Sequence, residues 1–110
     1  MTAADLLVRY VLLHNYGVES GDFEPLMLLF RDDAIFEFED PRIGVFEELD
    51  MIRGVFRRQG PTVSIAVGNI VDEGRTARAD YSSALEPDKR LGFISAEMEG
   101  DEIRRLFIGK

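Results

Sequence analysis

Cysteine and tryptophan are absent from this chain of 110 residues, and histidine occurs once, at His14. Without cysteine the chain can form no disulfide and offers no thiolate as a nucleophile or metal ligand. A single histidine leaves no zinc-binding motif, and no serine stands in the nucleophile-elbow pattern of a hydrolase. No glycine-rich phosphate-binding motif is present either. We therefore expect no metal and no cofactor, which leaves proton transfer in a pocket, or binding alone.

Positive charge is also scarce, because 13 lysine and arginine residues stand against 21 aspartate and glutamate residues, a net charge of −8. Nucleic acid is not an expected partner, since phosphate binding needs concentrated positive charge. The basic cluster before the C-terminal segment is Arg53, Arg57 and Arg58, and on a helix Arg53 and Arg57 share a face. This cluster is either a solvated helix face or a site for an anion or a protein partner.

Long apolar runs are missing as well. No stretch of about 18 apolar residues occurs, so the sequence predicts no membrane-spanning helix and no membrane partner. The segment from Met1 to Asp5 has no basic region before its apolar stretch, unlike a signal peptide. Together with the absence of cysteine, this favours a cytoplasmic protein.

The length fits a single domain spanning residues 1–110. Tyr10 and His14 belong to an apolar face with helical spacing in the first segment, and Ala34, Phe36 and Phe38 alternate as in a strand. The same patterns predict helices over 3–17, 23–31 and 46–59, and strands over 34–40, 62–72, 75–85, 90–99 and 102–109. This order, α-α-β-α-β-β-β-β, predicts an α+β domain with three helices packed on a curved antiparallel sheet.

Three short motifs carry a family resemblance: Gly21-Asp22, the Leu-Leu-Phe-Arg-Asp-Asp-Ala run at 28–34, and Asp-Met-Ile-Arg at 50–53. In this order they resemble the NTF2-like superfamily, including its SnoaL-like and ketosteroid-isomerase-like members. The resemblance covers nearly the whole chain and implies a cone-shaped domain with one interior pocket. It also implies a homodimer formed through the outer face of the sheet.

His14 and Tyr10 are the first candidate site residues. An unperturbed histidine pKa near 6.5 suits a general acid or base at neutral pH. The resemblance implies a helix-one tyrosine that donates a hydrogen bond to the reacting oxygen. His14 matches that tyrosine when counted back from Gly21-Asp22, and Tyr10 matches it when counted from Arg9-Tyr10-Val11. The alternative for His14 is a buried histidine whose neighbour satisfies it.

Two acidic residues are further candidates. Asp40 precedes Pro41, and the isomerase-like resemblance implies a proton-transferring base at such an Asp, although a gapless match puts Phe38 there. A turn-forming Asp before proline is the alternative. Glu19 stands three residues before Asp22, where the scytalone-dehydratase-like branch has an acidic residue near its pocket. A helix-end position or a solvated charge is its alternative.

No catalytic set known from the superfamily is complete in this sequence. Ile94 stands near the second acid of the isomerase branch, and the predicted strands contain no histidine, whereas the dehydratase branch uses two. Aromatic residues nevertheless predict a pocket or a filled core inside the cone: Tyr10, Phe30, Phe36, Phe38, Phe56, Tyr81, Phe93 and Phe107. Of these, all but Phe93 and Phe107 are expected to contact a ligand, together with Glu19.

Two functions remain open. The first is a pocket that binds a small hydrophobic molecule, with cofactor-free isomerisation, cyclisation or dehydration in which His14 and Asp40 are catalytic. The second is a non-catalytic homodimerisation module. Its outer sheet face is predicted to carry Ile70, Ile94, Ala96, Met98, Leu106 and Ile108. An open apolar cavity of about 300 Å³ or more would favour the first function, and a filled cone the second.

Overall fold

The structure is a computed structural model that describes residues 1–110. Its elements are α1 (Ala3–Ser20), α2 (Glu24–Met27), β1 (Phe30–Phe38), β2 (Val45–Glu47), α3 (Leu49–Gln59), β3 (Ile65–Asp72), β4 (Thr76–Ser83), β5 (Arg90–Glu99) and β6 (Glu102–Gly109). The strands form one sheet in the order β2-β1-β6-β5-β4-β3. The predicted α+β class is confirmed. The sheet is mixed, however, because β1 pairs with β6 in parallel while the other neighbours are antiparallel.

The first helix begins where the sequence predicts and ends later. The Thr2 hydroxyl accepts the Asp5 N–H at 3.1 Å, and the Asp5 carboxylate accepts the Thr2 N–H at 3.1 Å, which forms a capping box. The helix continues through Gly17, against which the Phe23 ring packs: a Cβ on Gly17 would lie 2.2 Å from Phe23 Cδ1. Gly17 is therefore a packing residue inside the helix, and Gly21 forms the C-terminal cap.

The second helix is shorter than predicted and the first strand starts earlier. Helix α2 is a single turn that follows Asp22, whose Oδ1 accepts the Glu24 N–H at 3.0 Å. Strand β1 begins at Phe30, which pairs with Ile103, and the Ile103 N–H donates to the Leu29 carbonyl at 2.7 Å. These partners come from the far end of the chain, so pairing with β6 ends the local helix before residue 30.

Residues 45–47 form the short strand β2, although the sequence pattern predicts them near the start of the third helix. Phe46 pairs with Phe36 of β1 in an antiparallel arrangement. Glu48 has a positive φ of 73°, which is uncommon for a residue other than glycine, and this break separates β2 from α3. The third helix consequently begins at Leu49. The partner strand decides this difference, since three residues carry too little periodicity to indicate a strand.

All the packing of helices against the sheet is on one face, called here the inner face. Helix α1 crosses β3, β4 and β5, while α3 packs against β1 and β2. Irregular register interrupts the pairing of β3 with β4, of β4 with β5 and of β5 with β6. Such bulges bend strands and increase their twist, which curves the sheet around α1. None of the helices is both long and apolar enough to span a membrane.

The two faces of β5 and β6 are the reverse of the prediction. Ile94, Ala96 and Leu106 were expected on the outer face, yet all three are fully buried in the core beneath the helices. Met98 and Ile108 also pack against this core. Apolar residues occur on both faces of these strands, so alternation alone does not choose the inner one. Small side chains distinguish the inner face. Ala96 of β5 and its neighbours Ala77 and Ala79 of β4 are buried there and leave room for α1.

Phe93 and Phe107 lie on the opposite, outer face, so their predicted place inside the cone is wrong. Their ring centroids are 5.7 Å apart, and the Arg78 guanidinium carbon lies 4.0 Å from the Phe93 centroid. Ile70 is the one residue of the predicted outer patch that is exposed. Leu85, the last residue of the strand predicted over 75–85, is instead exposed in the turn after β4.

Candidate functional site

A cavity of about 230 Å³ lies between α1, α3 and the inner face of the sheet. Nine of its 12 lining residues are hydrophobic. The wall consists of Tyr10, His14, Phe36, Phe38, Val55, Phe56, Gln59, Pro61, Ile65, Tyr81, Ile94 and Ile108. The volume is smaller than the roughly 300 Å³ at which pockets for drug-sized ligands begin. The cone is therefore partly filled, between the two alternatives that the sequence leaves open.

The residues predicted to form a site divide into two groups. The structure brings together Tyr10, His14, Phe36, Phe38, Phe56 and Tyr81 at the cavity wall. They come from α1, β1, α3 and β4, elements that only the tertiary fold makes neighbours. Asp40, Glu19 and Phe30 lie outside the wall.

His14 lies on the buried face of α1, one helical turn after Tyr10, and the two ring centroids are 5.9 Å apart. Its Nδ1 is 2.9 Å from the Asn15 Oδ1. Burial lowers the pKa of His14, and the hydrogen bond to Asn15 acts in the opposite direction with a smaller effect. The imidazole is therefore neutral at pH 7 and can accept a proton or a hydrogen bond.

Tyr10 and Tyr81 supply two hydroxyl groups. Burial raises the pKa of Tyr10, and the nearby Tyr81 adds to the rise. Burial also raises the pKa of Tyr81, against the opposing charge of Arg90. Both phenols stay protonated and uncharged at neutral pH, so each can donate one hydrogen bond to a ligand.

Asp40 lies in the turn that follows β1. Its carboxylate accepts the Arg42 backbone N–H at 3.0 Å and pairs with the Arg42 guanidinium at 2.8 and 3.1 Å. Hydrogen bonds from the Arg42 side chain, and then from its backbone, lower the pKa of Asp40. A general base for neutral pH needs its pKa moved upward, so this environment favours a stabilised turn rather than a proton-transfer site.

Glu19 is exposed near the end of α1, away from the cavity wall. Phe30 is fully buried behind that wall, with its ring edge-on to Tyr10 at 6.4 Å and stacked on Phe36 at 6.4 Å. Phe30 therefore supports two lining residues without lining the cavity itself.

Two of the three arginines in the basic cluster of α3 pair with an acidic residue of α2. Glu24 accepts from Arg53 at 3.1 Å and from Arg57 at 2.8 Å, and Arg53 also reaches Asp50 at 3.0 Å. The hydrogen bond from Arg53 is the main reason that the pKa of Glu24 is lowered. Because the carboxylate already lies between the two guanidinium groups, this face links α2 to α3 and is poorly suited to bind an anion.

Sequence reasoning did not predict six lining residues as ligand contacts: Val55, Gln59, Pro61, Ile65, Ile94 and Ile108. The sequence pattern could have predicted two of them. Val55 and Gln59 lie one turn apart on α3, next to the buried face formed by Ile52 and Phe56. No three histidine, cysteine, aspartate or glutamate side chains converge at a point where they could hold a metal ion.

No protein-family model matches the sequence, and no curated protein matches it. Solved structures do match the fold. An NTF2-like protein of unknown function from Cytophaga hutchinsonii superposes with a TM-score of 0.72 at 14% identity, covering 98% of this chain and 88% of that chain.

Two further similar structures carry a suggested activity. A candidate polyketide cyclase from Sinorhizobium meliloti has a TM-score of 0.63 at 20% identity, covering 91% of this chain and 93% of that chain. A candidate ketosteroid isomerase from Kribbella flavida has a TM-score of 0.64 at 16% identity, covering 99% of this chain and 80% of that chain. Similarity at this level of identity concerns the fold and leaves the activity open.

Proposed function

We propose that this chain, which has the NTF2-like fold, binds a small, uncharged and mainly apolar molecule in the cavity between α1, α3 and the sheet. The main support for this proposal is the composition of the cavity wall, which is mostly apolar with a few polar groups. Nine of the 12 lining residues are hydrophobic, and His14, Tyr10 and Tyr81 contribute the imidazole and two phenol side chains to the wall. An apolar recess with a few convergent polar groups is the usual form of a small-molecule site.

The charge of the wall restricts the ligand. Neither an acidic nor a lysine or arginine side chain lines the cavity, and the histidine and both tyrosines are neutral at pH 7. A charged ligand would lose its hydration on entry and meet no opposite charge in return. The environment therefore favours an uncharged molecule whose one or two polar atoms reach His14 and the tyrosines.

The volume restricts the ligand further. A dry apolar cavity of about 150 Å³ accommodates benzene. The 230 Å³ available here suits a somewhat larger molecule, with one substituted ring or a short branched chain. A fused four-ring ligand would require the cavity to open, so we propose a smaller compound than a steroid.

If the site is catalytic, the side chains that can transfer or share a proton are His14, Tyr10 and Tyr81. Neutral His14 could remove a proton, while the Tyr10 hydroxyl polarises a ligand oxygen by hydrogen bonding. Isomerisation, cyclisation and dehydration all require such a transfer, and two structurally similar proteins are candidates for the first two reactions. Asp40 is outside the cavity and paired with Arg42, so we assign the proton transfer to His14.

Filling the cavity tests the binding proposal. Val55 lines the cavity from α3 and is half-buried, so Val55→Phe places a ring in the ligand space. We expect the protein to bind p-cresol and p-xylene with measurable affinity, and Val55→Phe to weaken both by about tenfold or more through loss of apolar burial. Ligand-detected NMR or isothermal titration calorimetry measures this change.

Met51→Phe is the matched control, because Met51 lies on the same helix but is exposed. It should leave both affinities unchanged. The proposal fails if the unaltered protein binds neither compound, or if the two variants lose affinity equally.

We propose a homodimer as a second candidate function, because the outer sheet face carries an aromatic patch. Phe93 and Phe107 form its centre, and Arg78 and Arg105 lie beside Glu97 in the same shallow groove. A twofold contact places the same patch on both copies, so aromatic rings can meet rings while Arg78 of each copy meets Glu97 of the other. Arg105 is already paired with Glu37 of its own chain. This face replaces the patch predicted from the sequence, because five of the six patch residues lie in the core or pack against it.

Phe107→Lys tests the dimer, since it adds a positive charge beside Arg78 and Arg105 in both copies. We expect the unaltered protein to sediment as a dimer at micromolar concentration, and the variant as a monomer. Leu12→Lys, at an exposed position of α1, is the control and should stay dimeric. A monomeric unaltered protein would refute this second function.

A further inference from the structure

The His14 imidazole is held by a neighbour that is itself anchored to the sheet. The Asn15 Nδ2 donates to the Ile65 carbonyl at 2.8 Å, and the Asn15 Oδ1 accepts the Ile65 backbone N–H at 2.9 Å. The same Oδ1 lies 2.9 Å from the His14 Nδ1. Helix α1 is thereby joined to the start of β3 beside the cavity wall, which Ile65 lines.

Backbone chemistry determines which end of the Asn15 amide faces His14. A peptide N–H can only donate and a peptide carbonyl can only accept. The two bonds to Ile65 therefore require the amide oxygen on the N–H side and the amide nitrogen on the carbonyl side. The atom that meets His14 Nδ1 is consequently an oxygen, which cannot donate a hydrogen bond. In the neutral imidazole, Nδ1 must carry the proton.

The second ring nitrogen has the complementary role. The protein supplies no hydrogen-bond partner to His14 Nε2. Every fully buried side-chain nitrogen or oxygen does have a partner, so Nε2 is not fully buried. Because His14 lines the cavity, we infer that Nε2 is accessible from it. An imidazole protonated at Nδ1 presents a lone pair, and no proton, at Nε2.

We propose that Asn15 is a positioning residue: through its paired bonds to Ile65 it holds His14 as the Nδ1–H tautomer, so that Nε2 presents a hydrogen-bond acceptor to the cavity. A consequence that rests on the proposed ligand binding is that the ligand carries a donor there. An alcohol, a phenol or an enol satisfies this requirement, whereas an ether or a ketone with no O–H or N–H does not.

The single histidine makes the tautomer directly measurable. In ligand-free protein labelled with ¹⁵N at histidine, long-range ¹H–¹⁵N correlation gives one imidazole pattern, free of overlap from other histidines. At pH 8, above the ordinary histidine pKa, we expect Nδ1 to be the protonated nitrogen and Nε2 the unprotonated one. An Nε2–H pattern in the unaltered protein would overturn the proposal without any variant.

Variants at position 15 separate positioning from general structural support. Asn15→Asp loses the bond to the Ile65 carbonyl but keeps the acceptor for the Ile65 N–H and for Nδ1, so the Nδ1–H pattern should persist. Asn15→Leu removes that acceptor at similar size, and we expect the ring to change to the Nε2–H tautomer that a free imidazole favours. Persistence of Nδ1–H in Asn15→Leu would refute the role of Asn15. Asn15→Ala serves the same comparison if the leucine variant does not fold.

The donor requirement is tested with p-cresol and p-xylene, which differ by one hydroxyl in place of a methyl group. One hydrogen bond is worth about 0.5–1.5 kcal/mol, so p-cresol should bind the unaltered protein roughly 2- to 10-fold more tightly. In Asn15→Leu the ring presents an Nε2–H, from which the phenol oxygen can accept only more weakly than its O–H donates, so the advantage should shrink. Equal affinities in the unaltered protein would contradict the donor requirement. Binding of neither compound would refute the proposed function, and the ligand-free spectrum would still decide the tautomer.

Discussion

Gly92→Ala is expected to lower the free energy of unfolding by about 3 kcal/mol or more. An extra methyl group in a packed core typically costs about 1–3 kcal/mol, and this site is too rigid to relax around it. A Cβ at residue 92 would lie 2.0 Å from the Gly109 carbonyl oxygen and 3.0 Å from Tyr81 Cε1. The carbonyl belongs to the backbone of β6, which is paired with β5 there and cannot rotate away as a side chain can. Strands β5 and β6 would have to separate.

Urea denaturation of the two proteins measures this loss. Tyr81 lines the cavity, so the same variant should also weaken p-cresol binding if it remains folded. Gly68→Ala is the matched control on β3, because no atom lies within 4 Å of the added Cβ. Its stability should change by no more than about 0.5 kcal/mol. A similar, small change in both variants would contradict the close approach of β5 and β6.

Phe30→Ala is expected to cost about 3–5 kcal/mol, the range for truncating a large buried aromatic residue. Only 2% of Phe30 is exposed, and its ring packs against Tyr10 and Phe36. Truncation leaves a void behind the cavity wall as well as removing apolar burial. A domain of this size has about 5–15 kcal/mol of stability in total, so the variant should unfold at much lower urea concentration.

Leu28→Ala is the control, since Leu28 lies two residues away and is 80% exposed. We expect it to change stability by less than about 0.5 kcal/mol. Phe30→Leu should recover most of the loss, because it refills much of the volume. If Phe30→Ala instead weakened p-cresol binding with no loss of stability, Phe30 would be a ligand contact, as the sequence predicts, and its assignment to the core would be wrong.

Elements with strong periodicity or clear punctuation were predictable from the sequence. The start of α1, and both ends of β5 and β6, agree with the structure because a cap or a glycine turn marks them. The errors occur where a distant partner overrides local preference. Pairing with Ile103 converts Phe30 from helix to strand, and pairing with Phe36 makes a strand of Phe46. Such partners cannot be read from a short window.

The candidate site shows the same division. Tyr10 and His14 could be placed together because one helical turn separates them, and Phe36 and Phe38 because strand alternation does. For Asp40 the sequence left a proton-transfer site and a turn open, and it did not indicate Arg42, which pairs with Asp40 in the folded turn. The role of Asn15 was also hidden, since it depends on backbone atoms 50 residues away, at Ile65. Hydrogen bonds of that kind have no signature in composition or spacing.

By itself the sequence determined the absence of thiol chemistry, the acidic net charge, the α+β class and the resemblance to NTF2-like proteins, because these follow from residue identity and short-range period. The tertiary structure decided which face of β5 and β6 is buried, which of the predicted residues meet at the cavity, and which ring nitrogen of His14 is free. The physical reason is that strand pairing, packing volume and hydrogen-bond direction are relations between residues distant in sequence. Local pattern carries none of the three.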